Sequence, residues 1–163
     1  MNRITLHANC FDASALVKLH VDEEGTENVR AYFNSEATKY TTQFCFYEAL
    51  GVLKVKWKYR SELSKKDYLE AAFKLASWYS ASSRSIEDID INSPEVFGEA
   101  KKLVDKTGLD LSDVLQILSV KNGYFSHMVG DSKTILVTAD KDLASVAREQ
   151  GIRSWYFIDE PAP

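Results

Sequence analysis

Four acidic residues stand where their type and spacing could do chemistry: Asp12 after one apolar run, Glu48 and Asp113 within helical stretches, and Asp140 after a second apolar run. Each has an ordinary alternative. An Asp that follows a strand is as often a simple helix N-cap, a role that Ser14 could equally fill near Asp12. Asp140, at a strand-to-helix joint, is a commoner capping choice still, with Asp142 placed to favour the helix dipole. Glu48 says more. At helical spacing it shares a stripe with Phe44, Val52 and Val55, so the carboxylate interrupts an apolar face and lies away from Gln43, Lys54 and Lys58. Asp113 shares a stripe with Ile117 and Val120, although the N-terminal dipole alone would stabilise an acid so early in a helix.

No Lys or Arg occupies a local pairing position for Glu48 or Asp113. Unpaired carboxylates brought together repel by about 4 kcal/mol at ~4 Å in an effective dielectric of ~20. If these acids converge, a divalent cation relieves that repulsion. Oxygen-only donors suit Mg²⁺, with Mn²⁺ as the alternative. Zn²⁺ would want His or Cys, and His7, His20 and His127 show no ligand spacing.

The elements that must position these acids follow from periodicity. Ile4 to Phe11 reads as a buried first strand ending at Asp12, followed by a short helix over Ala13 to His20. A helix is expected over Thr26 to Asn34 and a short strand over Lys39 to Thr41. Thr42 then caps a long helix over Gln43 to Trp57, and another helix runs from Lys65 to Ser82. Ser85 to Ile91 alternates as a strand. Ser93, Pro94 and Glu95 start a helix that Gly108 ends. A helix begins near Ser112 and reaches Asn122, and Thr134 to Thr138 is a short apolar strand. Asp140 to Gln150 is an amphipathic helix, and Ile152 to Ile158 is a last strand rich in aromatic and branched residues. Strands separated by helices imply crossovers, hence an α/β fold with a mostly parallel central sheet flanked by helices on both faces. Such sheets bind ligands outside the carboxyl ends of their strands, and Asp12 and Asp140 would both face that edge.

Composition bounds the rest. At 163 residues, 45% hydrophobic and 27% charged, the chain suits one well-packed domain and neither a disordered nor a fibrous protein. Cys10 and Cys45 are too few for a disulfide framework and lie in apolar runs, which fits a reducing cytoplasm. Met1 to His7 offers no basic lead into a long apolar stretch, so neither a signal peptide nor a membrane span is expected. A net charge of -4 argues against a protein that coats nucleic acid. Local charge differs: Lys54, Lys56, Lys58, Arg60, Lys65 and Lys66, interleaved with Trp57 and Tyr59, could track a phosphate backbone or could simply be a solvated helix end.

Four segments in order carry a resemblance: Phe11-Asp12-Ala13-Ser14-Ala15-Leu16-Val17-Lys18, then Glu48-Ala49-Leu50 on a helix preceded by Thr42, then Leu111-Ser112-Asp113-Val114-Leu115, then Leu136-Val137-Thr138-Ala139-Asp140. Together they resemble the PIN-domain family of metal-dependent nucleases, over nearly the whole chain from Phe11 to Trp155. The resemblance implies an α/β/α sandwich as a nuclease domain over residues 1–158, and the tail over 159–163 is expected to fray. It also implies Mg²⁺-dependent hydrolysis of RNA phosphodiester bonds by an endoribonuclease. Asp12, Glu48, Asp113 and Asp140 take the acidic positions, and Ser14 and Thr138 are supporting polar groups. Asp110 and Asp142 are further helpers. Asp142 also rivals Asp140 for the fourth place, since some family members carry Asn there and an acid slightly later.

Small bacterial and archaeal members commonly serve as the toxin of a toxin–antitoxin pair, as in VapC-type proteins, and the chain is similar in size, with extra length over Lys54 to Ser85. On that likeness, the apolar faces of Ala13 to Asn34 and of the Gln43 to Ser82 helical pair would receive an antitoxin or, in a homodimer, a second subunit. One alternative is a PIN-like module that binds RNA or protein without activity. The other is a phosphatase of the haloacid-dehalogenase type, suggested by Phe11-Asp12 and by Gly130-Asp131-Ser132. That reading needs a second Asp where the chain has Ser14, and Asp131 precedes its strand instead of following it.

Overall fold

Strands covered on both faces need apolar side chains at every position, not at every other one. The computed structural model, which describes residues 7–36, 38–86 and 88–163, has such strands at its centre: β1 (Ala8–Phe11) and β3 (Ile135–Thr138) are buried throughout. β2 (Thr38–Tyr40) and β4 (Arg153–Tyr156) flank them. The order is β2-β1-β3-β4 and every pairing is parallel. The register sets Phe11 beside Val137 and Val137 beside Trp155. Because successive side chains alternate across a sheet, Phe11, Ile135, Val137 and Trp155 enter one core, while Ala8, Cys10 and Leu136 enter the other.

Helices close both faces, as an α/β/α sandwich requires. On the first lie α1 (Ala13–Lys18), α2 (Thr26–Ser35), α3 (Gln43–Lys58) and α4 (Lys65–Ser82), contributing Leu16, Val29, Ala49, Leu53 and Leu75 to the core. On the second lie α5 (Pro94–Thr107), α6 (Leu111–Asn122) and α7 (Lys141–Glu149), contributing Leu103, Val114, Ile117, Leu143 and Ala147. The helix starts use oxygen side chains: Thr42, Ser64 and Ser93 accept from backbone amides of α3, α4 and α5. Gly108, at φ +73, ends α5 in the left-handed conformation that glycine adopts without penalty. The α3 and α4 pair is clasped by stacked rings, Phe46 on Tyr79 at 4.2 Å and Trp57 on Tyr68 at 4.7 Å.

Two sequence expectations are corrected. Ser85 to Ile91 forms no strand among its described residues, Glu87 lying outside them; the segment is turn and irregular chain. Its polar groups cap instead of laddering: Asp88 accepts from the Gln43 amide at 2.7 Å, and just upstream Ser83 Oγ accepts from the Thr41 amide at 3.0 Å. The first strand starts at Ala8 and the last spans only Arg153–Tyr156, the expected residues before His7 lying outside the described ones. Past β4, Glu160 fastens the chain by accepting from Arg148 at 2.6 Å and from the Tyr156 amide at 3.1 Å, while its carbonyl accepts from Trp155 Nε1 at 3.0 Å.

From β1 the chain crosses to β2 on one side and later to β3 on the other, so β1 and β3 diverge at a topological switch point. The crevice outside the carboxyl ends of those two strands is where such sheets bind ligands. Asp12 directly follows β1, and Thr138 is the last residue of β3.

A candidate acidic active site at the switch point

Asp12 is held before anything binds it. Its amide donates to the Val137 carbonyl at 3.1 Å, so β1 and β3 are still joined where its side chain turns in. One carboxylate oxygen accepts from Ser14 Oγ at 2.6 Å and from the Ala15 amide at 2.8 Å, and the other accepts from Thr138 Oγ1. Ser14 Oγ in turn accepts from the Ala139 amide at 2.9 Å, and Thr138 Oγ1 from the Asp140 amide at 2.9 Å. Ser14 and Thr138 therefore tie the end of β1 to the start of α7 through this one carboxylate. Asp12 is only 4% exposed. Burial pushes its pKa from 3.8 up to about 6, against the pull of the Ser14, Thr138 and Ala15 hydrogen bonds, and the charge of Glu48 adds to the rise.

Asp113 is reached from the other core face. Asp110 caps α6, accepting from the Asp113 amide at 2.9 Å and from Ser112 Oγ at 3.0 Å, which places Asp113 in the first turn. Its carboxylate accepts no hydrogen bond among the described residues, and its pKa rises from 3.8 to about 7. Burial is the largest cause, followed by the charges of Asp110, Asp140, Asp12 and Glu48. That set is the convergence in question: acids distant in sequence feel one another at a single strand edge. Glu48 is pushed up by partial burial and then by Asp110. None of Asp12, Glu48, Asp110, Asp113 and Asp140 has a Lys, Arg or His ion-pair partner among the described residues.

The remaining candidates sort by what they touch. Asp140 caps α7, one oxygen accepting from the Asp142 and Leu143 amides at 2.8 and 3.0 Å. Asp142 is exposed in the first turn of α7 and is not among the charges that perturb Asp12, Glu48 or Asp113. Glu48 does not lie where its apolar stripe suggests. The face of α3 that turns inward is Cys45, Phe46, Ala49, Leu53 and Lys56, while Val52 and Val55 are 36% and 37% exposed. Glu48 thus stands on an outward stripe at the edge of the acid group, not in a buried apolar face.

Sequence reasoning missed the groups that set the floor of the site. Thr41 Oγ1 donates to the Phe11 carbonyl at 2.6 Å, locking the end of β2 to the residue before Asp12. Cys45 Sγ donates to Gln116 Oε1 at 2.7 Å, linking α3 below Glu48 to α6 below Asp113. A polar Gln116 on the Asp113, Ile117 and Val120 face of α6 was the available signal.

These residues fit a hard divalent cation by type: they are carboxylates and hydroxyls without nitrogen or sulfur, and two of the carboxylates, Asp113 and Glu48, lack polar partners among the described residues. They do not form a ready-made cage, since no group of three or more His, Cys, Asp or Glu side chains among the described residues stands close enough to hold an ion. The comparisons with known proteins bear on the same region. No curated protein matches the chain. A family model described as PIN domain matches residues 10–149, an interval that includes Asp12, Glu48, Asp113 and Asp140. PIN domains are in general nucleases that use divalent metal ions. With the matched interval covering most of its length and a parallel four-stranded sheet between helical layers, the chain belongs to the PIN domain family.

Proposed function

We propose that the chain is a Mg²⁺-dependent endoribonuclease, with Mn²⁺ able to substitute, whose cation is held by Asp12, Asp113 and Asp140, with Glu48 completing the group. The observation that carries this reading is Asp113: among the described residues its carboxylate has no hydrogen-bond donor and no cation beside it, and the charges of four other acids raise its pKa. When bound, Mg²⁺ neutralises charge on the scissile phosphate and acidifies an attacking water. The protein supplies position. Ser14, Thr138 and the Ala15 amide hold Asp12 in one rotamer, and Asp110 fixes the first turn from which Asp113 projects. Glu48, exposed and with its pKa raised, is the carboxylate free to accept the proton that the water gives up.

Incubation of mixed RNA with the wild type in Mg²⁺ is expected to give internal cleavage that EDTA abolishes. Asp113→Asn, with circular dichroism unchanged, is expected to remove it. Wild-type activity in that folded variant would sink the assignment. Within the same reading, family likeness supports a toxin role, in which an antitoxin protein covers the acidic crevice. Co-purification of a small partner from the source cell and relief of growth arrest by its co-expression test that role, and a chain that arrests no growth when expressed alone contradicts it.

A further inference from the structure

The basic run that follows Glu48 divides in two when folded. Lys56 turns inward, 7% exposed, and pairs with Glu23 and Glu62, and Trp57 stacks on Tyr68. Lys54, Lys58 and Arg60 face outward, and among the described residues neither Lys54 nor Lys58 has an acidic partner. Beside them stand two rings with little cover, Tyr47 at 60% and Tyr59 at 71% exposed. Glu48, Val52 and Val55 of α3 and its C-cap Tyr59 fall on one line at helical spacing, about 16 Å long from first to last. Gly51 opens the middle of this face, where an added Cβ would meet nothing within 4 Å.

We propose that this outer face of α3, from Glu48 to Tyr59, carries a single-stranded RNA whose scissile phosphate lies at the acids, an inference that rests on the ribonuclease reading above. Unpaired lysines interleaved with exposed aromatic rings are how proteins hold an unpaired strand, the cations following phosphates and the rings stacking on bases. A duplex keeps its base faces stacked inside and cannot use Tyr47 or Tyr59 in this way. The track is continuous with the site, since Glu48 belongs to both. The surface left between the two tyrosines is flat at Gly51, which lets a sugar–phosphate backbone approach the helix.

The test measures binding of short unstructured oligouridine, in EDTA so that nothing is cut, to the full chain and to Tyr59→Ala and Lys54→Gln/Lys58→Gln, each shown folded by circular dichroism. Tyr59→Ala is expected to bind about tenfold more weakly, a loss of about 1.4 kcal/mol. The double lysine variant is expected to flatten the dependence of log affinity on log salt by about 1.4, at roughly 0.7 per phosphate contact on a single strand. A matched duplex is expected to bind more weakly than the single strand. If the wild type cuts RNA in Mg²⁺ while both variants bind and cut as it does, the track is wrong and the active-site assignment stands. If the wild type neither binds nor cuts RNA, both fall. If Tyr59→Ala leaves RNA binding unchanged but shifts the sedimentation coefficient from dimer to monomer, the face is a protein contact and the proposal is overturned.

Discussion

Replacing Asp113 by Asn should stabilise the metal-free protein at pH 8, and by less than half as much at pH 5. The side chains are nearly isosteric, and the Asp113 carboxylate accepts no hydrogen bond among the described residues that Asn would lose. Its pKa is raised from 3.8 to about 7, first by burial and then by Asp110, Asp140, Asp12 and Glu48. A carboxyl group with a raised folded pKa contributes stability that is complete below 3.8 and is lost as pH climbs through about 7. That rise corresponds to about 4 kcal/mol at most; Asp113 is only partly buried, and solvent screening brings the figure to about 2 kcal/mol. For a chain of this size, about 2 kcal/mol moves the melting temperature by roughly 5 °C.

Thermal unfolding followed by circular dichroism in EDTA, for wild type and Asp113→Asn at both pH values, measures the difference directly. The difference is the right quantity because groups that do not interact with Asp113 cancel from it. His20, whose pKa is lowered to about 4 by burial and then by Lys74 and Arg30, destabilises both proteins alike as pH falls. Adding Mg²⁺ should raise the wild-type melting temperature, by an amount worth about 2.7 kcal/mol at a hundred times its dissociation constant, and should raise the variant's far less. An Asp113→Asn protein equally or less stable than wild type at pH 8 in EDTA would refute the claim that these acids repel one another in the folded chain.

Three further outcomes are expected. Thr138→Val, at a fully buried position, keeps shape but removes the donor to Asp12 and the acceptor for the Asp140 amide; it should cost about 1–3 kcal/mol by denaturant titration and lower RNA cleavage more than RNA binding. Lys56→Ala strips Glu23 and Glu62 of a shared, mostly buried partner and should lower stability by about 2 kcal/mol, with cleavage per folded molecule unchanged. Gly25→Ala, at φ +80 with its new Cβ only 2.6 Å from Ile158 Cδ1, should destabilise by about 1–3 kcal/mol in the same assay, again without touching cleavage by the folded fraction.

Much of the fold was legible because its helices announce their ends. Thr42, the Ser93-Pro94 pair, Gly108 and Asp140 all stand at the boundaries that their chemistry suggests. The parallel sheet was legible from apolar runs separated by helical stretches, and the place of Asp12 and Asp140 follows from that topology. Ser85 to Ile91 misled because alternation reports only that one side of a segment is apolar. Ile86 and Ile89 do pack against the second core, while Asp88 uses its polarity to cap α3 instead of pairing a strand. The orientation of α3 misled for a related reason. Its apolar residues encircle much of the helix, so periodicity could not say whether Cys45, Ala49 and Leu53 or Val52 and Val55 would face inward; α1 and α4 decide it by packing on the former.

The acids of the site owe their company to helix starts. Asp12 caps α1, Asp110 caps α6, Asp140 caps α7, and Asp113 sits in the first turn of α6. Each of those positions is one where backbone amides and the helix dipole favour negative charge. A strand-to-helix crossover at a switch point therefore gathers carboxylates by local rules alone, before any ligand selects them. What local rules leave over is the informative part: Asp12, Asp110 and Asp140 take backbone amides, while Asp113 and Glu48 take nothing among the described residues. The capping acids thus combine a structural duty with a charge, and substitution can separate the two. Asn accepts the same amide hydrogen bonds as Asp and leaves the helix start intact, whereas Ala removes both charge and cap at about 1 kcal/mol. A site in which Asp140→Asn and Asp140→Ala lose the same activity but differ in stability is one where the charge, and not the cap, serves the chemistry.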